Sequence, residues 1–166
     1  GQSRVAPPIQ VPQHNKQFLP RALAVPIGTE VDFPNLDPDL HNVYSLTPGS
    51  DFDLGLIKKN GSGSKTLTQP GLVKVYCNRH EWMSTSILVV PNAWHVIAPP
   101  SSGPLVLSGL PAGPYDLVAW APDHELQPLR VEVPAGGTVE VTFDLVVAPF
   151  EPRTNKNGEL FDYPVP

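Results

Sequence analysis

Proline is the feature of this sequence that most restricts its fold. The chain has 22 prolines and 13 glycines among 166 residues. A proline inside a helix removes a backbone hydrogen bond and collides with the preceding turn, and glycine is also unfavourable there. Pro or Gly interrupts every apolar pattern of helical spacing before it becomes a long helix. The sequence therefore predicts an all-β protein built from short strands and turns.

Short apolar or β-branched runs, bounded by Pro, Gly and Asn, mark the expected strands. The first set falls near residues 21–25, 29–33, 41–46, 54–58, 64–68, 72–77 and 85–90. A second set falls near residues 94–97, 104–108, 115–120, 127–133 and 138–147. The turn-rich stretch 98–104 lies between the sets, which predicts two β-sandwiches joined by a short linker.

The expected domain boundaries follow from this division. Residues 1–92 form the first sandwich, with its core at 20–91, and residues 93–148 form a second, smaller one. The tail 149–166 lacks the apolar pattern of a core strand. We expect this tail to be either a loose extension or an arm packed on a neighbouring surface. In the second case, its contacts are expected at Phe161 and Tyr163.

Charge and hydropathy exclude some classes of partner. The net charge of -5 and the absence of a Lys and Arg cluster argue against nucleic-acid binding, which needs clustered cations. No apolar run approaches the roughly 20 residues needed to span a bilayer, so no membrane span is expected. The start at Gly1-Gln2 shows no signal-peptide pattern, and we interpret it as processed or engineered. A single cysteine excludes an internal disulfide and leaves the redox compartment open.

The single cysteine and the single methionine fall in one short segment. Cys77, His80 and Met83 have the spacing C-x2-H-x2-M, between two predicted strands. Thiolate, imidazole and thioether together suit copper better than other common metals. Two His and one Cys with a weak axial Met make the blue-copper arrangement, so a second His is required. His41, at the start of an upstream strand, is the candidate for that ligand.

Other interpretations of these residues remain open. A lone Cys or Met more often packs in a core. Zinc would favour further Cys or His ligands and binds a thioether poorly. A Cys77–His80 nucleophile pair lacks an obvious orienting group and leaves Met83 without a role.

The sequence offers little that points to an enzyme. The remaining histidines share no ligand-like spacing, which argues against a type 2 copper site of an oxidase or reductase. These histidines are His14, His95 and His124. The aspartate pairs are interpreted as turn residues rather than as an acid–base pair. They are Asp37 with Asp39, and Asp51 with Asp53.

Two stretches give the first half of the chain a family resemblance. GTEVDFPNLDPDLHNVYS (28–45) and VKVYCNRHEWMSTSILVV (73–90) resemble cupredoxins of the plastocyanin and amicyanin type. The short ligand loop is similar to that of amicyanin. Together with FDLGLIKKNGSG (52–63), these stretches are also similar to bacterial plastocyanin-like proteins of the methylamine-utilisation class. The resemblance implies a Greek-key β-sandwich that binds one type 1 copper ion.

The second half of the chain resembles a different family, and more weakly. SGLPAGPYDLVAWAPD (108–123) resembles the carboxypeptidase-regulatory-like sandwich, a non-catalytic module. This implies a smaller transthyretin-like or Ig-like β-sandwich after the cupredoxin domain. The half is short for such a module, so we expect it to be incomplete or to borrow a strand from residues 1–20.

The cupredoxin resemblance also implies roles for individual residues. His41, Cys77 and His80 are then equatorial copper ligands, and Met83 is the axial ligand. Asn42 corresponds to a residue that links the two ligand-bearing loops and whose backbone N–H reaches the cysteine sulfur. Such contacts around the ligands orient them and tune the metal.

The ligand loop departs from the family at two positions, Glu81 and Trp82, where we expect Pro or another small or apolar residue. The charge of Glu81 would favour Cu(II), or its carboxylate would compete with Met83 as a ligand and give a site that is not blue. Trp82 either extends a docking surface around His80 or packs over the site and shields it.

The function implied by the resemblance is one-electron transfer, with His80 as the electron port. The expected partners are transient redox proteins, a cytochrome or an oxidoreductase, in the periplasm or another exported location of the bacterial cell envelope. The alternative is a copper chaperone, buffer or sensor without redox turnover, and a third class is an interaction module with structural copper. A copper carrier would favour exposed, exchangeable ligands, and the sequence has no Met-rich tract.

Overall fold

The computed structural model describes residues 7–92, 94–98 and 103–161. Within these ranges the regular secondary structure consists of β-strands, with no helix, which confirms the all-β expectation. No helix in the described ranges is long and apolar enough to cross a lipid bilayer. The predicted contact of Tyr163 lies outside the described residues.

Twelve strands follow in chain order. They are β1 (Ile9–Gln10), β2 (Gln13–His14), β3 (Gln17–Phe18), β4 (Ala22–Pro26), β5 (Glu30–Asp32), β6 (His41–Ser45), β7 (Phe52–Ile57), β8 (Ser64–Thr66), β9 (Gly71–Cys77), β10 (Ser84–Val90), β11 (Gly113–Ala119) and β12 (Gln127–Val133).

The chain divides into two compact units. The first unit comprises the described residues up to 92 and those from 152 onward, and the second comprises those between 94 and 151. The first unit contains one sheet of order β1-β5-β8 and another of order β4-β10-β9-β6-β7. A single buried apolar cluster takes side chains from both sheets, including Val31 of β5 and Ile87 of β10. The two sheets therefore pack face to face as a β-sandwich.

The strands of the first unit follow the pattern read from the sequence. Along β10, buried and partly buried residues alternate, because successive side chains of a strand point to opposite faces. β10 pairs antiparallel with β9 and parallel with β4. Strand β6 differs, since all of its residues are buried.

The segment before residue 20 belongs to the first unit. Val11 and Phe18 are fully buried in its apolar cluster, together with residues of the sheets. β1 pairs with β5, and β2 with β3 forms a hairpin, so the described part of this segment lends no strand to the second unit. The two turn residues of the hairpin, Asn15 and Lys16, have φ of 52° and 56°. Two successive left-handed residues are typical of a tight two-residue hairpin turn.

The chain returns to the first unit after residue 151, and we call residues 152–161 the return segment. The Tyr44 hydroxyl donates a hydrogen bond to the carbonyl oxygen of Thr154 at 2.6 Å. The Lys156 ammonium lies 2.8 Å from a carboxylate oxygen of Asp53. The return segment is therefore packed on the first sandwich through its backbone and a charged side chain.

The second unit does not show the expected second sandwich. It contains the antiparallel hairpin β11–β12. The stretches 94–97, 104–108 and 138–147 form no strand, although Val147 makes an isolated bridge with His124. The alternating apolar residues of these stretches favour extended backbone, but a strand also needs a partner edge and a face to pack against.

Replacing Tyr44 by Phe is expected to lower the free energy of unfolding by about 1 kcal/mol, because the Thr154 carbonyl loses its donor. Burial raises the pKa of Tyr44 to about 12, so its hydroxyl keeps its proton at neutral pH. Urea unfolding measures the loss. Tyr115→Phe is the matched control, since the exposed Tyr115 hydroxyl also donates to a backbone carbonyl, that of Pro111. We expect the control to change stability by less than about 0.5 kcal/mol. Equal losses in the two variants would contradict the prediction.

Candidate metal centre

The candidate site lies where β6 begins and β9 ends. These strands are antiparallel neighbours, and Val43 is paired with Cys77. The start of β6 therefore lies beside the end of β9, which places His41 near Cys77. The pairing of β6 with β7 shifts register just after Asn42. Such an irregularity bends a strand and re-aims its side chains.

The short loop between β9 and β10 brings a second histidine to the sulfur. The Met83 N–H donates to the His80 carbonyl at 3.0 Å, and the Cys77 N–H donates to the Met83 carbonyl at 3.1 Å. These bonds close the loop on itself. The His80 Nδ1 atom consequently lies 3.6 Å from the Cys77 sulfur.

Three of the predicted ligands form one cluster. The ligand atoms of His41, Cys77 and His80 all lie within 4.8 Å of one another. The Nδ1 atom of His41 is 3.8 Å from the Cys77 sulfur and 3.1 Å from the Nδ1 atom of His80. His41 and Cys77 are buried, whereas His80 is partly exposed. Met83 is buried in the same loop, and its role as axial ligand stays a prediction.

The surroundings of the sulfur favour its ionised form. Burial raises the pKa of the Cys77 thiol, but hydrogen bonds from the His41 ring and from nearby backbone N–H groups outweigh it, and the pKa lies below its ordinary value. Those N–H groups belong to Asn42, Arg79 and His80. The thiolate is the form of cysteine that binds metals.

The two histidines have different surroundings. Burial lowers the pKa of His41, but its bonds with Cys77 and Asp37 more than compensate, and the pKa lies above its ordinary value. Burial lowers the pKa of His80, and the nearby His41 lowers it further. A positive charge at this pair is therefore favoured on His41 rather than on His80. The ring of His80 also contacts that of Trp82, with centroids 5.4 Å apart.

Asp37 is a residue of the site, although its sequence pattern predicts only a role in a turn. Its carboxylate lies 2.9 Å from the Nε2 atom of His41. Burial raises the pKa of Asp37, but hydrogen bonds from the backbone N–H groups of Lys16 and Asn15 and from His41 hold it below its ordinary value. The position of Asp37 in the turn just before His41 is the one sequence signal for this contact.

Asn42 connects the site to the neighbouring strand. Its side-chain amide donates to a carboxylate oxygen of Asp53 at 2.6 Å and to the Gly55 carbonyl at 2.9 Å. Its carbonyl accepts from the Asn78 N–H at 3.3 Å. Asn78 in turn accepts, through its side chain, from the Lys156 N–H at 2.8 Å. The return segment therefore contacts Asp53 and Asn78, two of the residues that are hydrogen-bonded to Asn42.

The other candidate residues lie outside the cluster. Glu81 is partly exposed and is not part of the three-residue group. Trp82 is 62% exposed, and its ring lies against that of His80. The remaining histidines are also not members of the cluster found among the described residues. They are His14, His95 and His124.

The donor set fits copper. A thiolate and two imidazoles converge, and a thioether is buried in the same loop. Soft sulfur donors suit Cu(I), and imidazole suits both oxidation states. A structural zinc site would normally have four Cys or His ligands, and this cluster has three.

Replacing Asn42 by Ala is expected to destabilise the first unit by about 1 to 3 kcal/mol, because the Asp53 carboxylate and the Gly55 carbonyl lose a buried donor. Urea unfolding of the metal-free protein measures this loss. Asn78→Ala is the control, since Asn78 is more exposed and its side chain accepts from one backbone N–H. A loss in Asn42→Ala no larger than in the control would contradict the prediction.

The chain is similar to several solved structures. No protein-family model and no curated protein matches it. A copper-containing nitrite reductase from Thermus scotoductus SA-01 is 24% identical, with a TM-score of 0.48, over 52% of this chain and 23% of that chain. A reduced mutant of amicyanin is 25% identical, with a TM-score of 0.48, over 52% of this chain and 87% of that chain. A Cu(I) form of another amicyanin mutant is 26% identical, with a TM-score of 0.47 and the same two coverages.

These likenesses extend over about half of this chain, and this chain spans less than a quarter of the nitrite reductase. With TM-scores below 0.5, they do not assign a chemistry to the site. The donor set and the burial of His41, Cys77 and His80 indicate that chemistry.

Proposed function

We propose that this chain is a type 1 copper protein that transfers single electrons between redox partners. The observation that carries the proposal is the convergence of His41, Cys77 and His80 within 4.8 Å, on two paired strands and one short loop. Copper bound there would supply a one-electron couple between Cu(I) and Cu(II). Met83 is proposed as the weak axial ligand because it is buried in the same loop.

The protein's own contribution is a nearly fixed ligand geometry. His41 is held by strand pairing and by the contact with Asp37. Cys77 is held at the end of a strand that is paired on both sides. A fixed set of ligands keeps rearrangement small when the charge of the metal changes. The burial of His41 and Cys77 keeps water from these ligands.

The burial of the ligands favours an electron carrier over a copper carrier. A chaperone or buffer needs ligands that a partner can reach and displace. Here His41, Cys77 and Met83 are each at most 1% exposed. We assign no catalytic reaction to the centre, because the proposed copper ligands are sufficient for the transfer of a single electron.

Electrons are proposed to enter and leave through His80. It is the one partly exposed member of the cluster, and the exposed ring of Trp82 lies against it. A partner of this kind, a cytochrome or an oxidoreductase, would dock transiently on a small surface. We propose a location in the periplasm or elsewhere in a bacterial cell envelope, on the family resemblance of the two ligand-bearing stretches.

The copper-loaded protein is expected to show an intense thiolate-to-copper absorption band and a narrow copper hyperfine splitting in its EPR spectrum. Cys77→Ser is expected to abolish the band because it removes the thiolate. His124→Ala is the control, since His124 lies in the second unit and outside the cluster, and should leave both signals unchanged. A colourless wild-type protein would contradict the type 1 assignment. Reversible one-electron voltammetry then separates an electron carrier from a copper carrier.

Replacing Trp82 by Ala is expected to slow electron self-exchange between oxidised and reduced protein roughly tenfold, which equals about 1.4 kcal/mol. The reason is that two molecules must bring their exposed His80 surfaces together, and Trp82 supplies apolar area there. NMR line broadening in mixtures of the two states measures the rate. Ile27→Ala is the control, because Ile27 is also exposed but lies beside Val90, at the end of β10 away from the ligand loop. If both variants exchange at the wild-type rate, Trp82 is not part of the docking surface.

A further inference from the structure

A buried carboxylate lies behind one of the ligand histidines. The Asp37 carboxylate is 2.9 Å from the Nε2 atom of His41, and both side chains are almost fully buried. The opposite ring atom of His41, Nδ1, faces the Cys77 sulfur. A carboxylate only accepts hydrogen bonds, so the Nε2 atom carries the proton and donates it to Asp37. With copper bound, the Nδ1 atom would carry no proton and would present its lone pair to the metal.

Asp37 is itself held in place by the N-terminal hairpin. The N–H groups of Asn15 and Lys16 donate to its two oxygens at 2.7 Å and 2.8 Å. Both residues have left-handed backbone, and successive N–H groups in such a turn converge on one anion. The backbone N–H of Asp37 donates to the Asn35 side chain at 2.9 Å. The carboxylate is therefore fixed and keeps its charge directed at His41.

A charged acceptor behind a ligand imidazole has two consequences. It fixes the tautomer and the ring orientation, and it makes the ligating nitrogen more basic. A negative charge also stabilises the oxidation state of the metal with the greater positive charge. His80 has different surroundings, because its ring lies against the Trp82 ring.

We propose that Asp37 is a positioning residue of the metal centre: through His41 it favours Cu(II) over Cu(I) and lowers the reduction potential. This inference rests on the proposed copper function. It also gives the hairpin β2–β3, which lies outside the stretches that resemble cupredoxins, a role at the centre.

The test compares Asp37→Asn with Asp39→Asn in the full chain. Both variants remove one negative charge from the same loop. Asp39 is about half exposed and lies 3.4 Å from the Lys16 ammonium, so it is the matched charge control. Voltammetry gives the reduction potential, and competition titrations with copper give the affinity for each oxidation state.

Asp37→Asn is expected to weaken Cu(II) binding roughly 10-fold to 100-fold. Cu(I) binding is expected to weaken less, so the potential rises, by about 59 mV for each tenfold difference between the oxidation states. Asp39→Asn is expected to leave the potential close to the wild-type value. A shift in Asp37→Asn no larger than in Asp39→Asn overturns the inference.

A second measurement needs no variant. In the Cu(I)-loaded wild-type protein, NMR is expected to show a slowly exchanging Nε2 proton on His41. If Asp37→Asn does not fold, this signal decides: its absence overturns the inference, and its presence supports the contact. A wild-type protein that binds no copper overturns the proposed function. A blue wild-type protein in which the two variants behave alike overturns only the role of Asp37.

Discussion

The antiparallel pairing of β6 with β9 is the constraint on which the site depends. It places the first residue of one strand, His41, beside the last residue of the other, Cys77. These residues are far apart in the chain, so only the sheet brings them together. The same sheet places β7 on the other side of β6. Asp53 of β7 can therefore hold Asn42, while the loop after Cys77 holds the Asn42 carbonyl. His41 and Cys77 are thus part of the sheet, whereas His80 lies on the loop that follows β9.

Much of the first unit could be predicted from the sequence because its strands follow simple rules. Alternating apolar residues, interrupted by Pro and Gly, marked β4 to β10 to within a few residues. The site could be proposed because thiolate, thioether and imidazole rarely coincide on one loop in a chain with so little sulfur. The structure brings Cys77, His80 and His41 together as that hypothesis requires.

The contacts that escaped prediction depend on tertiary structure. Asp37 looks like any aspartate of a turn, and its contact with His41 depends on how the turn is folded. The hairpin β2–β3 has strands of two residues, too short to show a periodic pattern. Conversely, residues 138–147 have an apolar alternation but form no strand. A local apolar alternation favours extended backbone, but a strand forms only where this backbone can pair with the edge of another strand.

The position of the return segment in the chain determines when its contacts with the first sandwich can form during synthesis. Tyr44 and Asp53 lie early in the chain, but their partners Thr154 and Lys156 follow the whole of the second unit. Since chains fold from the N-terminus as they emerge from the ribosome, the sandwich can form its sheets before these contacts exist. His41, Cys77 and His80 would then converge before Lys156 contacts Asp53 and Asn78. Thr154 and Lys156 add their contacts only after the second unit has been synthesised, so the surroundings of Asn42 are completed after its own sheet.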